Sequence, residues 1–424
     1  MVFQLGLLRK MNNIKRIRIL HVFFSGSTSG YKPGWIRFDT ITELLREKGF
    51  DVWILGYAQN WSNLKRKILG GIDINLKNKI INITQPRWLA AIDVLIHNFI
   101  LLGGLGYAML LYTICKKLRI NSIILADDMI GTNFYFLLMK KISRMKINTI
   151  IDYQDLTARL HTFKSKNFLK RIISTTIDEV INPKLAKKII TITNFGKEFL
   201  FHRSKINKGY VIPNLFRAEY HIEKNYNKNE IRRKLGLPSQ SIIFIWSGHL
   251  GGFTTDDVLF LIRAIALSKN KSKILLLLMG STTERHRFII NNFAKKLDVN
   301  VKHVGYVDAK SYLYWQYLMA ADMGIFIRPR TLFSHFLTGR KVMDYMGIGL
   351  PVIVPCLAGQ LEIIKGNGLC YKPEDVLDLA KKIDEILNLD LINMGIKSKE
   401  ITNSILNNIK TLFSDPSFIE FLIK

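Results

Sequence analysis

The sequence holds 424 residues, 48% hydrophobic and 22% charged; this excludes a disordered chain and a single ordinary core, and points to two domains of roughly 200 residues each. Its 62 Lys and Arg against 33 Asp and Glu give a net charge of +29, which leaves nucleic acid, an anionic membrane surface or phosphorylated small molecules as partners. No nucleic acid is expected, because the basic residues are spread along the chain without zinc-ligand spacing, an aromatic RNA-binding signature or a dense basic tail.

The opening MVFQLGLLRKMNNIKRIRIL has no long apolar core followed by a small-residue cleavage site, so no signal peptide is expected, and Met11 offers an alternative start. RIRILHVFF then reads as a buried strand, SGSTSGYKPG as a glycine loop, IRFDTITELLREKG as a helix and DVWILGY as a second strand. That order opens a doubly wound parallel sheet. Val94 to Cys115 is long enough to span a bilayer, yet it carries His97, Asn98 and three glycines and leads directly into SIILAD. A buried soluble helix is the expectation, with a membrane-pressed helix as the alternative. The strands SIILAD, TIIDYQ and KIITIT end in polar residues, which sends Asp127, Asp128, Asp155, Thr193 and Asn194 to one rim.

The first domain is expected over 1–205 and a linker over 206–238, where residues 217–238 turn charged and Asn-rich. SIIFIWSG, ILLLLMG, VKHVGY, GIFIRP and PVIVP alternate with helix patterns and place the second domain at 239–400. Residues 401–424 read as a C-terminal helix free to pack back on the first domain. The predicted fold class is α/β, two doubly wound Rossmann-like domains facing a central cleft in which a ligand would bind. Cys115, Cys356 and Cys370 are odd in number and lack metal spacing, so they are expected as unpaired core filler in a reducing compartment.

Several elements recur in a set order in the second half. Upstream stand VIPN at 211–214, Ser247-Gly248, LLLLMG at 275–280 and VGYV at 304–307. Downstream come Ala321-Asp322, Lys341, Asp344, Tyr345-Met346-Gly347, Gly349, Pro351-Val352-Ile353, Gly359, Glu362 and Asn367-Gly368. Together they cover most of residues 211–376 and resemble the donor-binding half of glycosyltransferase family 4, also called group 1. The resemblance implies a GT-B fold and transfer of a sugar from a nucleotide-sugar donor with retention of configuration. It implies no metal and no cofactor, the nucleotide sugar being a substrate. A nucleotide-sugar epimerase and a non-catalytic nucleotide-sugar-binding protein are the alternatives on the same fold.

Candidate site residues follow from chemistry and resemblance together. Gly30 and Gly34 would let backbone approach phosphate, before a helix whose amides face the ligand. By resemblance Asp344 accepts from the nucleotide ribose, Gly305, Tyr306 and Val307 hold the base edge, and the backbone at Gly339 meets the diphosphate. Lys341, three residues before Asp344, would meet phosphate or pair with that carboxylate. Gly248 and Gly280 end strands at the same rim. His335 or Phe336 stands where the family's first Glu contacts the transferred sugar, and His249 and Thr254 stand where the family has Arg and Lys. Arg328, Arg330, Arg340 and Lys341 are the cations placed to substitute. Asp155, in place of the family's His-Asp pair as Gln154-Asp155, would orient or deprotonate the acceptor hydroxyl or cap the following helix.

The surplus charge, with NLKRK at 63–67, CKKLR at 115–119 and MKKISRMK at 139–146 interleaved among apolar residues, suggests an enzyme peripheral on the cytoplasmic membrane face. Its acceptor would then be a glycan or a lipid-linked molecule.

Overall fold

The computed structural model describes residues 17–23, 35–57, 71–75, 77–84, 104–162, 167–216, 226–309 and 311–424. Gly30, Gly34, residues 63–67 and the first ten residues of the Val94–Cys115 run lie outside them. The chain forms two compact units, Met1–Pro213 with Asn408–Lys424, and Asn214–Asn407.

In the first unit the described elements are β1 (Arg18–Phe23), α1 (Trp35–Glu47), β2 (Asp51–Tyr57), β3 (Gly71–Asn75), β4 (Ile80–Thr84), α2 (Leu105–Lys117) and β5 (Ser122–Ala126). There follow α3 (Ile130–Ile142), β6 (Asn148–Tyr153), α4 (Thr157–Thr162), α5 (Phe168–Thr176), a π-helical turn (Ile177–Ile181), α6 (Asn182–Ala186), β7 (Ile189–Thr191), α7 (Asn194–Ser204) and β8 (Gly209–Val211). The sheet order is β3-β4-β2-β1-β5-β6-β7-β8, parallel except for the antiparallel pair β3 and β4. β1 therefore lies inside the sheet with crossovers on both sides, and its Ile19, Leu20 and Val22 are fully buried. α1 is tied to β6 by a buried ion pair, Arg37 Nη2 to Asp152 Oδ1 at 2.6 Å and Nε to Oδ2 at 3.2 Å, and Arg37 also donates to the Pro213 carbonyl at 3.0 Å. Removing either partner would strand a buried charge at about 3–5 kcal/mol.

The second unit runs α8 (Lys228–Lys234), β9 (Ile242–Ser247), α9 (Phe253–Leu267), β10 (Ile274–Met279), α10 (Glu284–Lys296), β11 (Asn300–Gly305), α11 (Tyr312–Ala320) and β12 (Met323–Ile325). It continues with α12 (Leu332–Phe336), α13 (Arg340–Ile348), β13 (Val352–Pro355), α14 (Ala358–Leu361), β14 (Gly368–Tyr371) and α15 (Val376–Ile386). Its wholly parallel sheet has the order β11-β10-β9-β12-β13-β14. Alternate strand residues feed two cores: Phe244, Trp246, Leu276 and Leu278 on one face, Ile243, Ile245, Leu275 and Leu277 on the other. α16 (Leu391–Leu412) carries the chain across the unit boundary, and α17 (Pro416–Ile423) belongs to the first unit. There Phe418 and Phe421 meet Tyr210 edge-on at 4.9 Å.

Three sequence expectations change. β8 pairs with β7 in the first sheet, and Arg232 on α8 donates to the Ala320 carbonyl at 2.9 Å and to Asp322 at 2.5 Å, so parts of the expected 206–238 linker are built into both units. The second sheet holds a sixth strand, β14, beyond the five expected; its short GLCY starts at Gly368 of the Asn367-Gly368 element. Cys356 and Cys370 form a disulfide and are not unpaired filler; the inference of a reducing compartment falls with that expectation. Parallel pairing of β13 with β14 sets Val354 opposite Cys370 and brings the two cysteine Cα atoms to 5.0 Å, a proximity that a spacing of 14 residues does not announce. Cys115 stays free and buried, and burial raises its thiol pKa.

Candidate functional site

In the second sheet the strand order reverses between β9 and β12, and the C-terminal ends of strands beside such a switch point are where doubly wound sheets bind ligands. Three glycines end adjacent strands there. The Gly248 amide donates to the Met279 carbonyl at 2.8 Å, and the Gly280 amide to the Gly305 carbonyl at 2.8 Å. Gly280 has φ +155°, and a Cβ on it would lie 1.7 Å from the Gly248 carbonyl oxygen, so only glycine fits. The result is a rim of bare backbone at Gly248, Gly280 and Gly305 open to close approach by a ligand. Tyr306 follows with 66% of its surface exposed, and Val307 is partly buried against the core.

Across this rim stands α13. Gly339 caps it without a side-chain bond, and Arg340 and Lys341 occupy its first turn. The Lys341 ammonium lies 4.4 Å from the centroid of the Trp246 ring and touches Gly248, where an added Cβ would meet Nζ at 2.1 Å. Burial, and then the neighbouring Arg328, push the Lys341 pKa down to about 7, while Asp257 and Asp344 pull the other way. Arg328 is held by Asp257 at 3.0 Å; burial raises that carboxyl to about 6 despite its cationic neighbours. Asp257 carried no sequence signal: it stands one residue past Asp256, the acid of the helix's first turn, and nothing local marks its pairing with Arg328 71 positions on.

Asp344 is buried, and its Oδ2 accepts from the Tyr314 hydroxyl at 2.9 Å while Oδ1 has no hydrogen-bond partner among the described residues. Burial raises its pKa against the opposing pull of Arg340, the Tyr314 bond and Lys341. The next residue, Tyr345, accepts the Ser247 amide at 2.8 Å and pairs with the Ser247 hydroxyl at 2.8 Å. This locks α13 to the end of β9 and sets the distance between Lys341 and the glycine rim.

Other expected contacts are redistributed. His249 is exposed beside the rim, with Nδ1 2.9 Å from the Ser281 hydroxyl. Thr254 is not free for a phosphate: its hydroxyl accepts the Gly251 amide at 3.1 Å and lies 2.8 Å from the Gly251 carbonyl, so it folds the loop before α9. Phe336 is fully buried and cannot touch a sugar, because α12 turns that face into the core. His335 is half-buried; its Nδ1 accepts the Ala358 amide at 3.2 Å, and burial together with Arg330 holds its pKa below the usual value. It is therefore neutral with Nε2 protonated.

In the first unit Asp155 follows β6 half-buried, and its amide donates to Asp127 Oδ2 at 3.0 Å. Thr157 donates to the same oxygen at 3.2 Å. Burial, then Asp128, Asp155 and Asp178, raise Asp127 well above the carboxylate range, and burial lifts Asp178 to about 8. The sequence placed Asp127 and Asp155 on one rim, but the buried Asp178 on the π-helical turn went unread. Among the described residues no group of three or more His, Cys, Asp or Glu is placed to hold a metal ion, and no helix is long and apolar enough to cross a membrane.

Residues 241–389 match the family model described as "Glycosyl transferases group 1". No curated protein sequence matches the chain. Among solved structures, sucrose-phosphate synthase from Thermosynechococcus elongatus is 16% identical over 94% of this chain and 98% of its own, with a TM-score of 0.70. Anabaena HepE, solved in complex with UDP, is 14% identical over 94% and 100%, with a TM-score of 0.66. A glycosyltransferase from Rickettsia africae is 17% identical over 96% and 98%, with a TM-score of 0.61. At such identities these structures show a shared fold, the GT-B arrangement of two Rossmann-like units.

Proposed function

We propose that this chain, whose residues 241–389 are a group 1 glycosyltransferase domain, transfers a sugar from a nucleotide-sugar donor to a glycan or lipid-linked acceptor with retention of configuration. The observation that carries the reading is the Lys341 ammonium laid on Trp246 against the glycine rim. A diphosphate set on bare backbone needs a fixed cation beside it, and a lysine with a pKa of about 7 gains more from an anion than one already solvated and charged. Lys341, with Arg340 and the first amides of α13, would stabilise the leaving diphosphate by preorganised charge. The Asp344 Oδ1, without a hydrogen-bond partner among the described residues, accepts a ribose hydroxyl, Gly305 to Val307 border the base, and the Nε2–H of His335 donates to the transferred sugar. In the first unit Asp155 orients the acceptor hydroxyl, supported by its position at the C-terminal end of β6.

The buried Phe336 and the loop-bound Thr254 favour one second reading, a nucleotide-sugar-binding protein without transfer. Calorimetry with UDP, the ligand of the Anabaena structure, followed by assay of UDP-sugar turnover with and without acceptor, separates the two. Binding without turnover supports the second reading. Absence of any nucleotide binding, with none retained through purification by mass spectrometry, sinks both.

A peripheral membrane position is supported by α5, which exposes Phe168, Leu169 and Ile172 on one face beside Lys170 and Arg171. Flotation with anionic and neutral liposomes at low and high salt tests it. Equal failure with both lipids excludes the membrane, and salt-resistant flotation shows apolar insertion.

A further inference from the structure

At the edge of the first sheet opposite the rim carrying Asp155, the chain makes three successive helix-to-strand turns, α3 to β6, α6 to β7 and α7 to β8. Each turn contributes two lysines to one cavity of about 630 Å³: Lys140 and Lys146, Lys187 and Lys188, Lys205 and Lys208. Lys424, next to α17, makes seven, and no Asp or Glu is among the described lining residues. Four helix C-termini, those of α3, α6, α7 and α17, contribute about half a negative charge each, roughly −2 in all, so dipole compensation accounts for only a fraction of this charge. Glu420, an acid that acts on Lys188, is paired with Lys424 at 2.6 Å.

Two lysines are built into the walls. Lys188 is buried, donating to Asn148 Oδ1 at 2.7 Å and to the Phe421 carbonyl at 2.6 Å, and Lys140 donates to the Thr149 hydroxyl at 2.7 Å. Both are pushed down to about 8, chiefly by burial, then by Lys187 beside Lys140 and by Lys208 and Lys140 beside Lys188, with Glu420 opposing at Lys188. Lys187 and Lys205 cap α6 and α7 in left-handed backbone, φ 69° and 59°, where glycine or asparagine is the easier residue. The cluster thus bears mutual repulsion and desolvation at once, both of which a bound anion would offset.

We propose that this cavity is a binding site for a small, multiply charged phosphate anion, separate from the nucleotide-sugar site of the second unit. A recessed pocket of point-charge ammonium groups suits a compact phosphate or diphosphate. The phosphate is carried either by a soluble molecule or by a lipid headgroup.

The test is calorimetric titration of the full chain with inorganic pyrophosphate, with UDP present throughout to occupy the second unit. The comparison variant is K187N/K205N/K208Q, in which asparagine suits the left-handed caps, so the fold is retained. Wild type should bind pyrophosphate and, at pH 8, take up protons, read from heats in two buffers of different ionisation enthalpy. The triple variant should bind on the order of ten-fold more weakly or worse, take up fewer protons, and keep the wild-type UDP isotherm and thermal melt. Co-sedimentation with phosphatidylcholine vesicles, with and without phosphatidic acid, assigns the source. If only phosphatidic acid vesicles capture wild type and they release the variant, the pocket takes a headgroup phosphate. Equal pyrophosphate affinity in wild type and variant, or no binding to either probe, overturns the site.

Discussion

Replacing Lys341 by Met should make the second unit more stable while removing nucleotide binding. Met keeps an unbranched chain over Trp246 but brings no charge beside Arg328. An ammonium held at about 7 when folded and 10.5 when unfolded destabilises the fold while it is protonated. At 1.36 kcal/mol per tenfold, that penalty is about 3–5 kcal/mol at pH 6. It fades as pH rises from 7 toward 10.5, because the folded lysine is then already neutral and only the unfolded one still takes a proton. At pH 9 the penalty is about 1–2 kcal/mol. Hydrogen exchange of the β9 and β10 amides reports the stability of this unit without assuming that the whole chain unfolds in one step. The variant's advantage should be largest at pH 6 and shrink by pH 9, with UDP affinity lost at both. A variant less stable than wild type, or an advantage that does not change with pH, would refute a lysine strained toward neutrality.

The remaining predictions concern the frame around that lysine. Tyr345→Phe leaves the buried Ser247 amide without its acceptor and should cost about 1–3 kcal/mol in urea unfolding, with UDP binding weakened because α13 is no longer fixed to β9; unchanged stability would remove the lock. Phe336→Glu, which puts an acid at one of the two positions where the resemblance implies one, should lower thermal stability and give no gain in transfer, since the position is fully buried, whereas increased turnover would show that α12 can turn the side chain outward. Reducing Cys356–Cys370, or the double serine variant, opens a loop whose ends are 14 positions apart and should cost about 3 kcal/mol in the second unit; insensitivity of the melt to dithiothreitol would count against the bond. Asp155→Asn should lower transfer more than UDP binding, and a parallel loss of both would place the residue outside acceptor chemistry.

The α/β class was legible because two signals agree along most of the chain: continuous apolar strands, and amphipathic segments between them ending in glycine or a polar cap. The ordered elements from Ser247-Gly248 to Asn367-Gly368 were legible too, and several turn out to be structural. Gly349, at φ 90°, ends α13 so that Pro351 can lead into β13, and Asp322 accepts the Ile243 amide at 2.8 Å at the opposite edge of the sheet from the glycine rim.

What a string of residues determines is local: which segments are strands or helices, and which residue types stand at strand ends. Only the tertiary structure decided what faces what. It set Lys341 against Gly248, 93 positions away in sequence, paired Asp257 with Arg328, joined Cys356 to Cys370 and closed Thr254 into its loop. It also gathered the lysines of three separate turns around one cavity. Such proximities follow from strand order and register, which depend on how whole faces pack, and so no short window of sequence contains them.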